Sequence, residues 1–210
     1  MISLGINSFF EHPAVAFVEN DRVLFAGEDE RFTRVKHGRC YTPFATYVPW
    51  ASIYAGLKFL GIRSSDIGQV GFSYSPRRHL LSLHGCLTGR RFSPLYDELA
   101  AFFSAVNFER ALKSSEATVQ RYEAILRPGD FAKIRVRYLD HHLCHAASAF
   151  FANPADESLV FVADGAGEVA STSVFIGRGP SIERIYEERL PNSLGHFYSA
   201  TTSYLGFQPF

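Results

Sequence analysis

Three imidazoles fall within five residues in the stretch Leu139-Asp140-His141-His142-Leu143-Cys144-His145-Ala146, and an acid follows in Asp164-Gly165-Ala166-Gly167. His141 and His145 are four residues apart, so on a helix their rings lie one above the other on a single face, the spacing at which two imidazoles grip one metal ion. His142 then points about a quarter-turn away. A carboxylate from Asp164 would complete a two-histidine, one-carboxylate site with open positions. The same residues also suit plainer roles, because a histidine pair can cap a helix and Asp-Gly is an ordinary turn dipeptide. No Glu lies between the histidines, so the zinc-protease helix pattern, which carries its general base there, does not apply.

The elements around these residues would have to position them. Residues 134–139 read as a strand that stops at Asp140, a good N-cap, and Ala146-Ala147-Ser148-Ala149 continue as a helix. The apolar run 159–163 reads as a strand that delivers Asp164 at its end. A tight loop, strands over 171–176 and 182–190, and a helix over 193–205 stopped by Gly206 follow. The N-terminus has a similar rhythm: strands over 3–7, 14–18 and 23–26, the latter two joined by a hairpin turn at Asn20-Asp21. The charged run 28–38 reads as a solvated loop. A helix over 50–60 ends at the C-cap Gly61, a strand spans 67–73, and 76–127 reads as mostly helix, clearest at 95–106 with a more polar piece over 108–126. The patch Arg77-Arg78-His79 reads as a solvated face.

Two copies of strand, loop, strand, turn, strand suggest an internal duplication of α/β type. In an actin-like or ribonuclease-H-like pair of lobes, the loops after the first strand of each copy face one another across a cleft. Glycines there, Gly165 and Gly167 in the second copy, let backbone N–H groups approach phosphate oxygens. Glycine pairs of this kind also serve simple hairpin geometry. The expected division is a first lobe over 1–155, with a helical insert around 76–127 and the histidine helix over 140–151, and the beginning of a second lobe over 156–210.

Composition bounds the remaining possibilities. With 210 residues, 47% hydrophobic and 15% aromatic, the chain can bury a substantial core. Lys+Arg and Asp+Glu are equal at 21 each, which gives no general pull toward nucleic acid or an anionic membrane. Cys40, Cys86 and Cys144 are widely spaced and match neither a disulfide framework nor a Cys-x-x-Cys metal pattern. The expectation is a soluble cytoplasmic protein without a membrane span.

Five motifs carry a family resemblance. They are Leu4-Gly5-Ile6-Asn7; the run from Glu30 to Gly38; the run from Asp140 to Phe150; Asp164-Gly165-Ala166-Gly167-Glu168; and Leu190-Pro191-Asn192-Ser193-Leu194-Gly195 with Tyr204-Leu205-Gly206-Phe207. In this order and spacing the chain resembles the N-terminal part of the NodU/CmcH-type O-carbamoyltransferases, which carbamoylate hydroxyl groups of nodulation factors and antibiotics. The resemblance implies an actin-like fold in which iron(II), or another divalent cation, is held by His141, His145 and Asp164 and helps bind a nucleotide's phosphates. It implies that Lys36 lines the acceptor or phosphate site. It also implies a YrdC-like domain further along the chain that makes carbamoyl-adenylate from carbamoyl phosphate and ATP, after which the actin-like part moves the carbamoyl group to the hydroxyl of a small-molecule acceptor.

Two departures from the family pattern shape the expectations. Where the family carries His-Asp in the first loop, this chain has Glu11-His12-Pro13, so the base is shifted to His12, replaced by Glu11, or lost. The sequence stops at Phe210, before the family's later aspartate ligand and its YrdC-like domain, so turnover by this stretch alone is not expected: it is a fragment of a longer product, or a partner supplies the rest, or it is a degenerate remnant. The competing reading is a noncatalytic lobe that holds a nucleotide or partner. A two-histidine, one-carboxylate iron oxygenase fits less well, since both histidines share one helix.

Overall fold

A computed structural model describes residues 1–8, 12–38, 47–87, 95–114 and 125–208. The chain divides into two compact units, one formed by Met1–Tyr74 with Tyr96–Tyr138 and the other by Ser75–Leu95 with Leu139–Phe210.

The first unit is built on a five-stranded mixed sheet. Strands β1 (Ile2–Asn7), β2 (Ala14–Glu19) and β3 (Arg22–Glu28) form an antiparallel meander. It turns at Asn20 and Asp21, both with positive φ (47° and 63°), as a two-residue hairpin loop requires. Alternation sets the register: Leu4 and Ile6 face inward on β1 opposite Phe17 and Val15 on β2, and all four are buried. Strand β4 (Ile67–Phe72) joins β1 in parallel and β5 (Val136–Tyr138) joins β4 in parallel, giving the order β3-β2-β1-β4-β5.

Between β3 and β4 the chain forms a single helical turn, α1 (Glu30–Thr33), a 3-10 turn (Lys36–Gly38) and helix α2 (Trp50–Leu60). Helix α2 ends at Gly61, whose φ of 67° turns its N–H back to the last carbonyls. It lies close on the sheet because Gly56 has no side chain: a Cβ there would stand 2.3 Å from a ring carbon of Phe17. Helix α4 (Leu95–Ser114) then stacks Phe108 on Phe72 with ring centroids 3.9 Å apart.

The charged run differs from its expected form. Asp29 is fully buried. Its carboxylate accepts from the Ser52 N–H at 2.8 Å, the Ser52 hydroxyl at 2.9 Å and the Tyr47 hydroxyl. The run is therefore a built turn, because a buried carboxylate with three donors stabilises it where a solvated loop would have none.

The second unit holds α3 (Pro76–Leu87), α5 (His141–Phe150), a three-stranded antiparallel sheet and α6 (Leu194–Tyr204). Its strands β6 (Glu157–Ala163), β7 (Ala170–Arg178) and β8 (Ser181–Arg189) follow one another directly. Helix α5 covers one face, where Ala146 and Phe150 pack on Val160, Val162 and Phe175. On the other face of β6, Leu159 and Phe161 are exposed, so this apolar strand is buried on one side only. The histidine helix belongs with this sheet, in the unit formed by Ser75–Leu95 and Leu139–Phe210. Among the described residues no helix is long and apolar enough to cross a membrane.

Candidate metal centre

Helix α5 begins where the sequence places it. Asp140 caps it, its Oδ1 accepting the Leu143 N–H at 2.7 Å. The cap is itself gripped by cations: Arg78 Nε stands 2.7 Å from Asp140 Oδ2, and Arg184 pairs with Oδ1. Glu187 completes the cluster, 2.5 Å from Arg78 and 2.7 Å from Arg184. Arg78 is thus part of a partly buried ion-pair network, and its neighbour His79 is buried; neither lies on the solvated face expected of them.

Glu168 does a second job at the same helix start. Its carboxylate is buried and accepts the His141 N–H at 3.2 Å and the Ser75 N–H, just before α3, at 2.6 Å. Burial pushes its pKa up, opposed by these hydrogen bonds. The motif over 164–168 alone does not mark Glu168 for this role, because its partners Ser75 and His141 lie far away along the chain.

With the helix start fixed, the ring nitrogens converge. His141 Nε2 lies 3.1 Å from His145 Nε2 and 3.1 Å from Asp164 Oδ2, and His145 Nε2 lies 3.6 Å from the same oxygen. The two rings meet nearly perpendicular, with centroids 4.6 Å apart. Ligands about 2.1 Å from a common ion stand about 3.0 Å apart in an octahedron and about 3.4 Å apart in a tetrahedron. The three separations sit around those values, so a single cation fits the donor set as it stands. Hydrogen bonds from His141 and His145 hold the Asp164 carboxyl well below the usual carboxylate range, with burial opposing them. The site therefore offers one full negative charge at neutral pH.

Asp164 is placed by its loop. Its own N–H donates to the Ser171 carbonyl at 2.9 Å, and the Gly167 N–H to the Ala170 carbonyl at 2.7 Å. The Gly165 N–H donates to Asp164 Oδ1 at 2.6 Å, leaving Oδ2 to the imidazoles. The Ser193 hydroxyl, capping α6, lies 3.0 Å and 2.8 Å from the carbonyls of Asp164 and Gly165. At Gly167 a Cβ would stand 3.0 Å from the His142 ring, closer than ordinary contact, so a side chain there would press on that ring. At 165 a Cβ would make only ordinary contacts; there the tight residue is Gly195, whose Cβ would fall 2.5 Å from the Gly165 nitrogen.

His142 takes no part in the cluster. It is buried, with Nδ1 2.8 Å from the Ser173 hydroxyl, and burial lowers its pKa to about 4. His12 and Lys36 lie in the first unit. His12 sits just before β2 with its ring next to that of His37, while Lys36 is exposed on the 3-10 turn. Glu11 lies outside the described residues.

The profile of the family described as Carbamoyltransferase N-terminus matches residues 2–210. The chain belongs to that family. It is 33% identical over 210 residues to the uncharacterized protein sll1178 of Synechocystis, covering 98% of this chain and 32% of that protein. It is 26% identical to the nodulation protein NolNO of Sinorhizobium fredii, covering 97% and 27% respectively. A shorter match, 41% identical over 68 residues, relates it to the nodulation protein NolO of Bradyrhizobium diazoefficiens, with 32% of this chain and 12% of that protein covered. The carbamoyltransferase N-terminal region thus spans about a third or less of the length of these relatives.

Proposed function

We propose that this chain is the N-terminal, cation-binding part of an O-carbamoyltransferase with an actin-like scaffold. In this reading His141, His145 and Asp164 hold a divalent cation, iron(II) first among the candidates, beside the phosphates of ATP or carbamoyl-adenylate. The observation that supports it best is the convergence of three donor atoms at 3.1, 3.1 and 3.6 Å in a chain that matches the carbamoyltransferase N-terminus throughout. The cation, when bound, supplies positive charge against the negative charge that develops on a departing phosphate.

The residues of this chain have separable tasks in that scheme. Glu168 and Asp140 fix the first turn of α5, and so hold the two rings at one separation. Asp164 stays ionised and contributes the negative charge of the donor set. The Gly165 and Gly167 N–H groups already donate to Asp164 Oδ1 and to the Ala170 carbonyl, so in this reading the loop serves the phosphates by fixing Asp164 beside them. Lys36, an exposed ammonium, serves the acceptor or phosphate site in this reading. Carbamoyl phosphate as donor, a small-molecule hydroxyl as acceptor and a YrdC-like partner domain complete the proposal.

The test is metal content and nucleotide binding of the purified chain. His141→Ala and His145→Ala should each remove one equivalent of bound cation and weaken cation-dependent nucleotide binding. Unchanged cation content in both variants would overturn the assignment.

A further inference from the structure

A second group of ring and carboxylate donors lies wholly within the first unit. It consists of His12 before β2, Glu30 in α1 and His37 in the 3-10 turn, one ligand atom of each lying within 4.8 Å of the others. We propose that His12, Glu30 and His37 form a further cation site, one that takes a borderline divalent ion such as zinc or cobalt. The proposal does not depend on the reading of the second unit, and it makes His12 a ligand where the sequence offered it as one candidate for the base.

The backbone is shaped to bring these rings together. His12 and His37 both have positive φ, 53° and 63°, a region that costs a non-glycine residue about 1 kcal/mol or more and persists only where the surroundings enforce it. Here the enforcing contacts are visible. The His12 N–H donates to the His37 carbonyl at 3.1 Å, and the Asn7 side chain donates to the His12 carbonyl at 3.3 Å. The His37 N–H donates to Glu30 Oε2 at 2.7 Å, which ties the third ligand to the second. Gly38, at φ 56°, lets the loop press on Pro13; a Cβ would stand 2.6 Å from the proline ring.

The outcome is a pair of nitrogens at ligand spacing. His12 Nε2 is 3.4 Å from His37 Nδ1, and the rings meet edge to face at 88°. A tetrahedral ion with bonds of about 2.0–2.1 Å separates its nitrogen ligands by about 3.4 Å. The other His12 nitrogen, Nδ1, faces Glu28 Oε1 at 3.9 Å, and a carboxylate behind the imidazole is a usual outer partner of a metal-bound histidine. Glu30 Oε1 remains for the ion. The guanidinium near it, Arg31 Nη2 at 3.9 Å, belongs to a side chain that is 70% exposed and can swing away. Two imidazoles and one carboxylate select a borderline transition ion over magnesium or calcium, and three protein ligands leave one position open.

Cobalt(II) titration of the full chain, read by calorimetry and by the visible absorption of the bound ion, tests this. The wild-type chain should bind two equivalents. His37→Asn and His12→Asn keep a residue that tolerates the left-handed backbone but remove an imidazole, and each should weaken one equivalent by at least about a hundredfold. Asp164→Asn should weaken the other equivalent, and His37→Asn with Asp164→Asn both. A wild-type chain that binds a single equivalent lost in Asp164→Asn would overturn the proposal. So would two undiminished equivalents in both His12→Asn and His37→Asn. Circular dichroism melts of each variant separate loss of binding from loss of fold.

Discussion

Acidification should destabilise the second unit through His142, and the size of the effect follows from where that ring sits. The residue is 1% exposed, and burial lowers its pKa from 6.5 to about 4. The folded state therefore binds fewer protons than the unfolded chain between those two values. Stability is fully present above pH 6.5, falls as the pH drops, and reaches its limit below about 4. At about 1.4 kcal/mol per pKa unit the full loss is about 3 kcal/mol, of which about 2 kcal/mol is reached by pH 5. The comparison is wild type against His142→Asn, whose amide reaches the region of Nδ1 and keeps a partner for the Ser173 hydroxyl but does not titrate. Hydrogen exchange of β7 amides at pH 7.5 and pH 5, with chelator present so that no cation competes, isolates the difference. If the two proteins lose the same stability over this range, His142 is not held neutral by burial and the reasoning fails.

Two substitutions probe the packing on which the sites rest. Gly177→Ala would place a Cβ 2.5 Å from the Phe150 ring, and should cost about 1–3 kcal/mol, partly recovered by Phe150→Leu; β7 exchange reads it, and a neutral result would mean α5 stands further from the sheet. Asp29→Ala should destabilise the first unit by about 2–4 kcal/mol, because three hydrogen bonds to the buried carboxylate, from the Ser52 N–H, the Ser52 hydroxyl and the Tyr47 hydroxyl, are lost together. Denaturation followed by the fluorescence of Trp50, the chain's single tryptophan and a buried one, reads the loss, and a change below about 0.5 kcal/mol would refute it.

How much of this was legible in the sequence depended on how local the deciding interactions are. Strands β1 to β3 announce themselves through the alternation of Leu4 and Ile6 with Val15 and Phe17 and through the Asn20-Asp21 turn. The start of α5 follows from Asp140, whose capping bond reaches only three residues ahead. The convergence of His141, His145 and Asp164 was also legible, because helix spacing and a strand end suffice to place them. Interactions between distant residues were not. Asp29 is buried because Ser52 and Tyr47 meet it, and Arg78 leaves the solvated face because Asp140 and Glu187 meet it. Helix α4 runs unbroken from Leu95 to Ser114, where a break near residue 107 was expected, since Asn107 only mildly disfavours a helix and the stack of Phe108 on Phe72 outweighs it. The His12, Glu30 and His37 cluster depends on two left-handed residues that no periodicity reveals.

The central claim is that His141, His145 and Asp164 share one cation. Crystals of the full chain loaded with iron(II), measured on either side of the iron absorption edge, test it most directly. The predicted result is an anomalous peak about 2.0–2.2 Å from His141 Nε2, His145 Nε2 and Asp164 Oδ2. A loaded crystal without a peak among those three atoms, or with the His145 ring turned away from the ion, would contradict it.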